Sequence, residues 1–463
     1  MNSAEVRAHT VVRSGEGWAN ASGSALPWWL TPLGLVALIP LPALNIAAIV
    51  SPASYRELWR VEKIIDGATT WMFLLGLLAF VIGTFLARPL RGSSAAAPGT
   101  ESWPSLSDHQ IARLRIAHRR CLIVTLVGYV VYLGVAVLTA GPSRYLRVLF
   151  SGENYDGLLK DLAPSIPGIT TLSQVGVLVA IISELLFRIT KEKAFRRWIY
   201  LLVALAAFRS FFYTERLAMI EVIVPVMVIG FTFAWRNGTA KQRRQLVLAP
   251  VFALPLLVTA FGVFEHSRSW VFYREFSNQS YPEFVGKRLA GYYATSYNNG
   301  ALLTTRYNDN FPRMPYFTLD AIWNAPVIGQ THAYRRITGE EGLERWDNML
   351  DTYANPEFNS PCAIAGAFTD YGPIGGMLFL GLLGFAVGLI WRRFDDARPI
   401  GLLLYPIAVV AVIELPRYSY LTAGRATPAL VFGIVTAMWL RRERTNASLP
   451  RVAGRTISAR QPT

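Results

Sequence analysis

Arginines stand at two turns between apolar runs. Arg209 and Arg216 bracket SFFYTE, and Arg417 and Arg425 bracket YSYLTAG. A guanidinium keeps its charge and can grip phosphate oxygens in pairs, so four of them at one level suit a diphosphate. Glu215 and Glu221 are their nearest acidic partners in sequence. The plainer reading is arginines near helix ends reaching for headgroups. A second group lies in KRLAGYYATSYNNG, Lys287–Gly300, where Tyr292, Tyr293, Asn298 and Asn299 combine flat faces with amide donors and acceptors. Such residues hold sugars; the alternative is an interfacial amphipathic helix with an aromatic belt. Asp370 precedes the Gly372–Pro373 break and an apolar run. It is either a helix N-cap or a carboxylate at a membrane face, able to act as general base. His266 and His332 are isolated from other metal ligands, and no P-loop, G-x-G-x-x-G or G-x-S-x-G is present, so neither metal nor cofactor is expected.

Those residues need elements to position them. The 463 residues are 52% hydrophobic and 16% charged, with a mean hydropathy of +0.33. Apolar runs near membrane-crossing length recur along the chain, so the expected fold class is an all-α polytopic membrane protein. Spans are expected at about 28–50, 69–87, 121–140, 168–187, 246–264, 374–391, 400–414 and 425–440. Trp198–Trp235 would form a helix about 57 Å long, well beyond a bilayer of about 30 Å. It is flanked by basic loops on both sides, so it reads as a hairpin of two spans turning near Tyr213–Glu215. Pro32, Pro40 and Pro42 predict a kink in the first span.

The formal net charge of +15 follows membrane topology. RLRIAHRR, RITKEKAFRR and RNGTAKQRR crowd alternate loops, which places those loops in the cytoplasm and gives ten spans with both termini inside. Nucleic acid is not an expected partner. The expected divisions are a disordered tail at 1–27, spans one to seven across 28–264 and an outer loop at 265–373. Spans eight to ten follow at 374–440, with a basic tail at 441–463. The middle of the loop, Asn308–Asp351, has no assigned role.

The order of motifs resembles the Wzy-type O-antigen and oligosaccharide repeat-unit polymerases, within the C-type membrane glycosyltransferases. The resemblance rests on RSFFYTERLAMIE, the Tyr293–Asn299 stretch Tyr-x-x-Ser-x-Asn-Asn, and a closing pattern on Asn359, Asp370, Tyr371, Gly372 and Gly375. The hairpin departs from the family's small-residue GxR-like form. The resemblance implies metal-independent, inverting transfer of a glycan from undecaprenyl diphosphate to the terminal sugar of another lipid-linked unit, at the outer face of a bacterial plasma membrane. A flippase and a chain-length regulator of the same pathway are its implied partners beside the bilayer. On that reading Arg209, Arg216, Arg288 and Arg417 hold the diphosphate, and Asp370 is the candidate base. Tyr292, Tyr293, Asn298, Asn299 and Asn359 contact substrate. Besides a non-catalytic scaffold, two alternatives remain. One is a ligase-like transferase, although Glu57, Glu62 and Asp66 form no D-x-D and His332 sits in a poor match to the ligase motif. The other is a flippase, which would carry internal repeats and charges within spans.

Overall fold

The computed structural model describes residues 26–87, 103–151, 170–213, 215–275, 279–307, 314–339 and 342–441, with Leu159 and Gly168. The expected terminal tails lie outside the described residues except for Leu26, Pro27 and Arg441. Every regular element among the described residues is helical. Among the described residues six helices are long and apolar enough to cross a membrane, or seven if one bent pair counts as a span.

The first span is broken as its prolines predict. Helix α1 (Pro32–Leu38) ends at Ile39, and α2 starts at Pro40 and runs to Ile49. Asp66 and Thr69 cap each other reciprocally to start α3, Gly67–Leu86. Ser107 and Gln110 do the same for α4, Asp108–Ala140. The basic RLRIAHRR is therefore helical and continuous with the third span, where a loop was expected. The buried α5 (Val175–Thr190) comes next, and the hairpin forms as α6 (Lys193–Phe212) and α7 (Leu217–Asn237). The short α8 (Ala240–Val247) and α9 (Ala249–Glu265) make the bent pair.

The passage expected to be an outer loop contains α10 (Tyr281–Arg306), a 26-residue helix packed against α2, α9 and α11 (Ala363–Asp395). Helix α10 is rich in Tyr, Ser and Asn. Inside the bundle their polar atoms find backbone partners, so they can be buried. Helices α12 (Pro399–Glu414) and α13 (Thr427–Arg441) complete the bundle; they are apolar but shorter than the six spans.

Two features fix the layout. Residues 175–186 of α5 and 401–412 of α12 are buried almost all round, as expected of helices at the centre of a bundle. The outer helices expose apolar stripes at helical spacing: Trp71, Leu75, Leu78, Ile82 and Leu86 on α3, and Ile374, Leu378 and Leu382 on α11. Those stripes face hydrocarbon in a membrane. Helices α3 and α11 run parallel with their backbones touching. A Cβ on Gly384 would lie 2.0 Å from the Phe80 carbonyl oxygen, and one on Gly83 would lie 2.0 Å from that of Gly381. Gly384→Ile should force the pair apart at a cost of roughly 1–3 kcal/mol or more. The purified protein's Tm in detergent should drop, while Gly134→Ala, with open space around it, should leave Tm level or higher. Equal melting of wild type and Gly384→Ile would show that the helices do not meet there.

Candidate functional site

The ends of α6, α9 and α12 and the starts of α7 and α13 gather at one end of the bundle, because their terminal charges pair with one another. Arg209, in the last turn of α6, is 6% exposed and pairs with Glu215 across the hairpin turn. The reading that it snorkels to headgroups does not hold. Its guanidinium lies over the rings of Tyr129 and Tyr132, at 6.0 and 5.4 Å. Arg425 grips both oxygens of Glu221, at 2.7 and 2.8 Å, and reaches Glu215 at 3.2 Å. Tyr420 donates its hydroxyl to Glu221 at 3.0 Å.

Arg216, first seen as a partner for Glu215 or Glu221, pairs with Glu265 at the end of α9. From Glu265 the chain widens into a π-helical turn, His266–Trp270. Glu265 and Ser269 both meet Arg288 from that turn, at 3.3 and 3.4 Å. Arg288 also donates to Glu357 at 2.6 Å, and Glu357 accepts from Tyr273 at 3.0 Å. The ring of Tyr292 serves two guanidiniums, with Arg216 4.9 Å and Arg288 5.9 Å from its centroid. Arg417 donates to Glu414 at 2.9 Å and has Tyr292 and Tyr293 as electrostatic neighbours. Glu414 in turn senses Glu221 and Arg425. The result is one belt in which Arg209, Arg216, Arg288, Arg417 and Arg425 face Glu215, Glu221, Glu265, Glu357 and Glu414. Such a belt can hold an added anion through guanidinium N–H groups that the carboxylates do not use.

The other expected site residues lie elsewhere. Asn298 and Asn299 are 1% exposed. Asn298 accepts from the backbone N–H groups of Ile64 and Ile65 at 2.6 and 3.1 Å and donates to the Glu62 carbonyl at 2.8 Å. Asn299 donates to the carbonyls of Phe358 and Ser360. These amides staple two turns to α10 and are not offered to a ligand. Asn359 is exposed, and its carbonyl accepts from the Trp346 indole at 3.2 Å.

Asp370 caps no helix start. It lies in the last turn before Gly372, whose φ of 72° breaks α11 ahead of Pro373. Its carboxylate accepts the N–H groups of Tyr316, Phe317 and Thr318 and the Thr318 hydroxyl, at 2.6–3.4 Å. With both oxygens engaged, this carboxylate is built to hold the 316–318 backbone.

Glu265, Glu357 and Glu414 were not foreseen. Only Glu414 left a trace in sequence, standing three residues before Arg417. No group of three or more His, Cys, Asp or Glu side chains suited to a metal ion occurs among the described residues. Compared with known proteins, the chain matches no protein-family model, no curated protein and no solved structure.

The pairing makes two measurable demands. Glu221 is 1% exposed, so Arg425→Met strands a buried carboxylate and should cost about 3–5 kcal/mol. Adding Glu221→Leu should restore much of that loss, which a double-mutant cycle on Tm would read. Strictly additive losses would mean that the two side chains do not interact. Burial works against the charged form of Glu215, but Arg209 and Arg425 outweigh it and hold the carboxyl below its usual range. Its stabilisation is whole above about pH 4.3, the unfolded-chain value, and is lost as pH falls toward the lower native value. Glu215→Gln should remove that part of the acid sensitivity from a plot of Tm against pH.

Proposed function

We propose that this chain is a membrane glycosyltransferase that polymerises lipid-linked oligosaccharide repeat units. It transfers the growing glycan from undecaprenyl diphosphate to the terminal sugar of a second lipid-linked unit. The observation that carries this reading is the convergence of Arg216, Arg288 and Arg417, from separate chain segments, around Tyr292 and Tyr293 at one end of the bundle. The charge distribution along the chain supports ten spans with both termini in the cytoplasm; on this proposal the belt works at the outer face of a bacterial plasma membrane.

In this mechanism Arg216 and Arg288 stabilise the leaving diphosphate as negative charge develops, with no metal required. Arg209 and Arg425 hold the hairpin and the 417–425 turn in register through Glu215 and Glu221. Tyr292 and Tyr293 offer ring faces to sugar. Asp370 acts indirectly, by fixing the segment at Tyr316–Thr318.

A strain lacking the protein, with its lipid-linked glycans resolved on a gel, tests the reading. Accumulated single repeat units are expected. Full-length unattached chains would indicate a ligase, and intermediates trapped inside would indicate a flippase. Arg288→Ala and Arg288→Lys should both lower the chain-extension rate about 10²–10³-fold, because an ammonium cannot reproduce the planar fork. Full-length glycan from both variants, at wild-type membrane abundance, would remove Arg288 from the site.

A further inference from the structure

Among the belt's carboxylates, Glu414 differs from the rest. Glu221 and Glu357 have both oxygens hydrogen-bonded, and Glu265 has one oxygen on Arg216 and the other on Arg288. Glu215 accepts from Tyr132 through one oxygen and from Arg425 through the other. Glu414 ends α12 at 0% exposure, and only its Oε2 is engaged, by Arg417 Nη1 at 2.9 Å. Its Oε1 is buried with no hydrogen-bond partner among the described residues.

Two atoms of the residues that follow share that condition, Arg417 Nε and the Tyr418 hydroxyl oxygen, and both residues are electrostatic neighbours of Glu414. The three belong to one turn, in which the backbone N–H groups of Arg417 and Tyr418 both donate to the Glu414 carbonyl, at 2.8 and 3.0 Å. Buried polar atoms ordinarily have partners, so three orphans in one turn mark a place where a polar ligand completes the set. They comprise an anionic acceptor, a cationic donor and a hydroxyl able to do either. That set matches a sugar hydroxyl beside a second sugar oxygen. Tyr293, an electrostatic neighbour of both Glu414 and Arg417, supplies an adjoining ring face.

We propose that this turn is the acceptor subsite of the polymerase described above, and that Glu414 is its proton acceptor. The assignment rests on that functional reading. The acceptor hydroxyl oxygen forms a bond to the anomeric carbon of the donor glycan. The bond from that carbon to the diphosphate oxygen breaks, and its electron pair leaves with the diphosphate. The hydroxyl proton passes to Glu414 Oε1 and returns to water once product departs. Arg417 has two roles here: Nη1 fixes one carboxylate oxygen so that the other points at the hydroxyl, and Nε–H donates to the acceptor sugar.

The test uses the full-length protein in proteoliposomes, supplied with the undecaprenyl-diphosphate-linked repeat units that accumulate in the deletion strain. Glu414→Gln keeps the shape of the side chain and its bond from Arg417. It should lower kcat for chain extension about 10²–10⁴-fold with KM nearly unchanged. The wild-type rate should fall in acid as Glu414 gains a proton, and Glu414→Gln should lack that acid limb. Glu414→Asp should recover part of kcat. Tyr418→Phe should act mainly through KM. Wild-type kcat and pH profile in Glu414→Gln would overturn the assignment, as would a loss that parallels a drop in Tm and keeps the acid limb. A wild-type protein that builds no polymer from these units would overturn the polymerase reading instead, so the two failures are distinct.

Discussion

A guanidinium at the edge of hydrocarbon must find a counter-charge, and this constraint organises one end of the molecule. Five helix ends meet there because each brings a charge that a neighbour neutralises. Arg209 and Glu215 close the hairpin between α6 and α7, and Arg425 and Glu221 tie the start of α13 to that of α7. Glu265 joins α7 to α10 through Arg216 and Arg288. The belt is therefore structural and chemical at once. The groups that would stabilise a leaving diphosphate are those that hold the helix ends in register. A ligand entering the belt has to share arginines that already have partners, and Arg417 is the one whose carboxylate partner keeps an oxygen free.

Much of this was legible in sequence, and where it was not the reason is physical. Length and apolarity predicted the helices. The kink before Pro40 and the turn after Phe212 followed from proline chemistry and from bilayer thickness. The arginines at turns were visible as a group. Glu215 and Glu221 were visible beside them, but Glu265 and Glu357 were not, since they meet Arg288 only through tertiary packing.

The stretch Tyr293–Asn299 was misjudged for a related reason. Polar side chains in a polar passage read as a surface, and nothing local reveals that Asn298 satisfies the 64–65 backbone or that Asn299 holds the 358–360 turn. Asp370 gave the same difficulty. A carboxylate before Gly and Pro suggests a cap or a base, and only the placement of Tyr316–Thr318 shows it gripping backbone.

The broken first span has a consequence for biosynthesis. The carbonyls of Leu30, just before Pro32, and of Pro40, at the break itself, accept hydrogen bonds from the hydroxyls of Tyr405 and Tyr297. Both tyrosines are translated long after α1 and α2 have entered the bilayer. The nascent N-terminal half thus waits in lipid without two of its buried hydrogen bonds, and truncation anywhere before residue 297 removes both donors for good. Assembly of this bundle is completed from its C-terminal half, which supplies both donors.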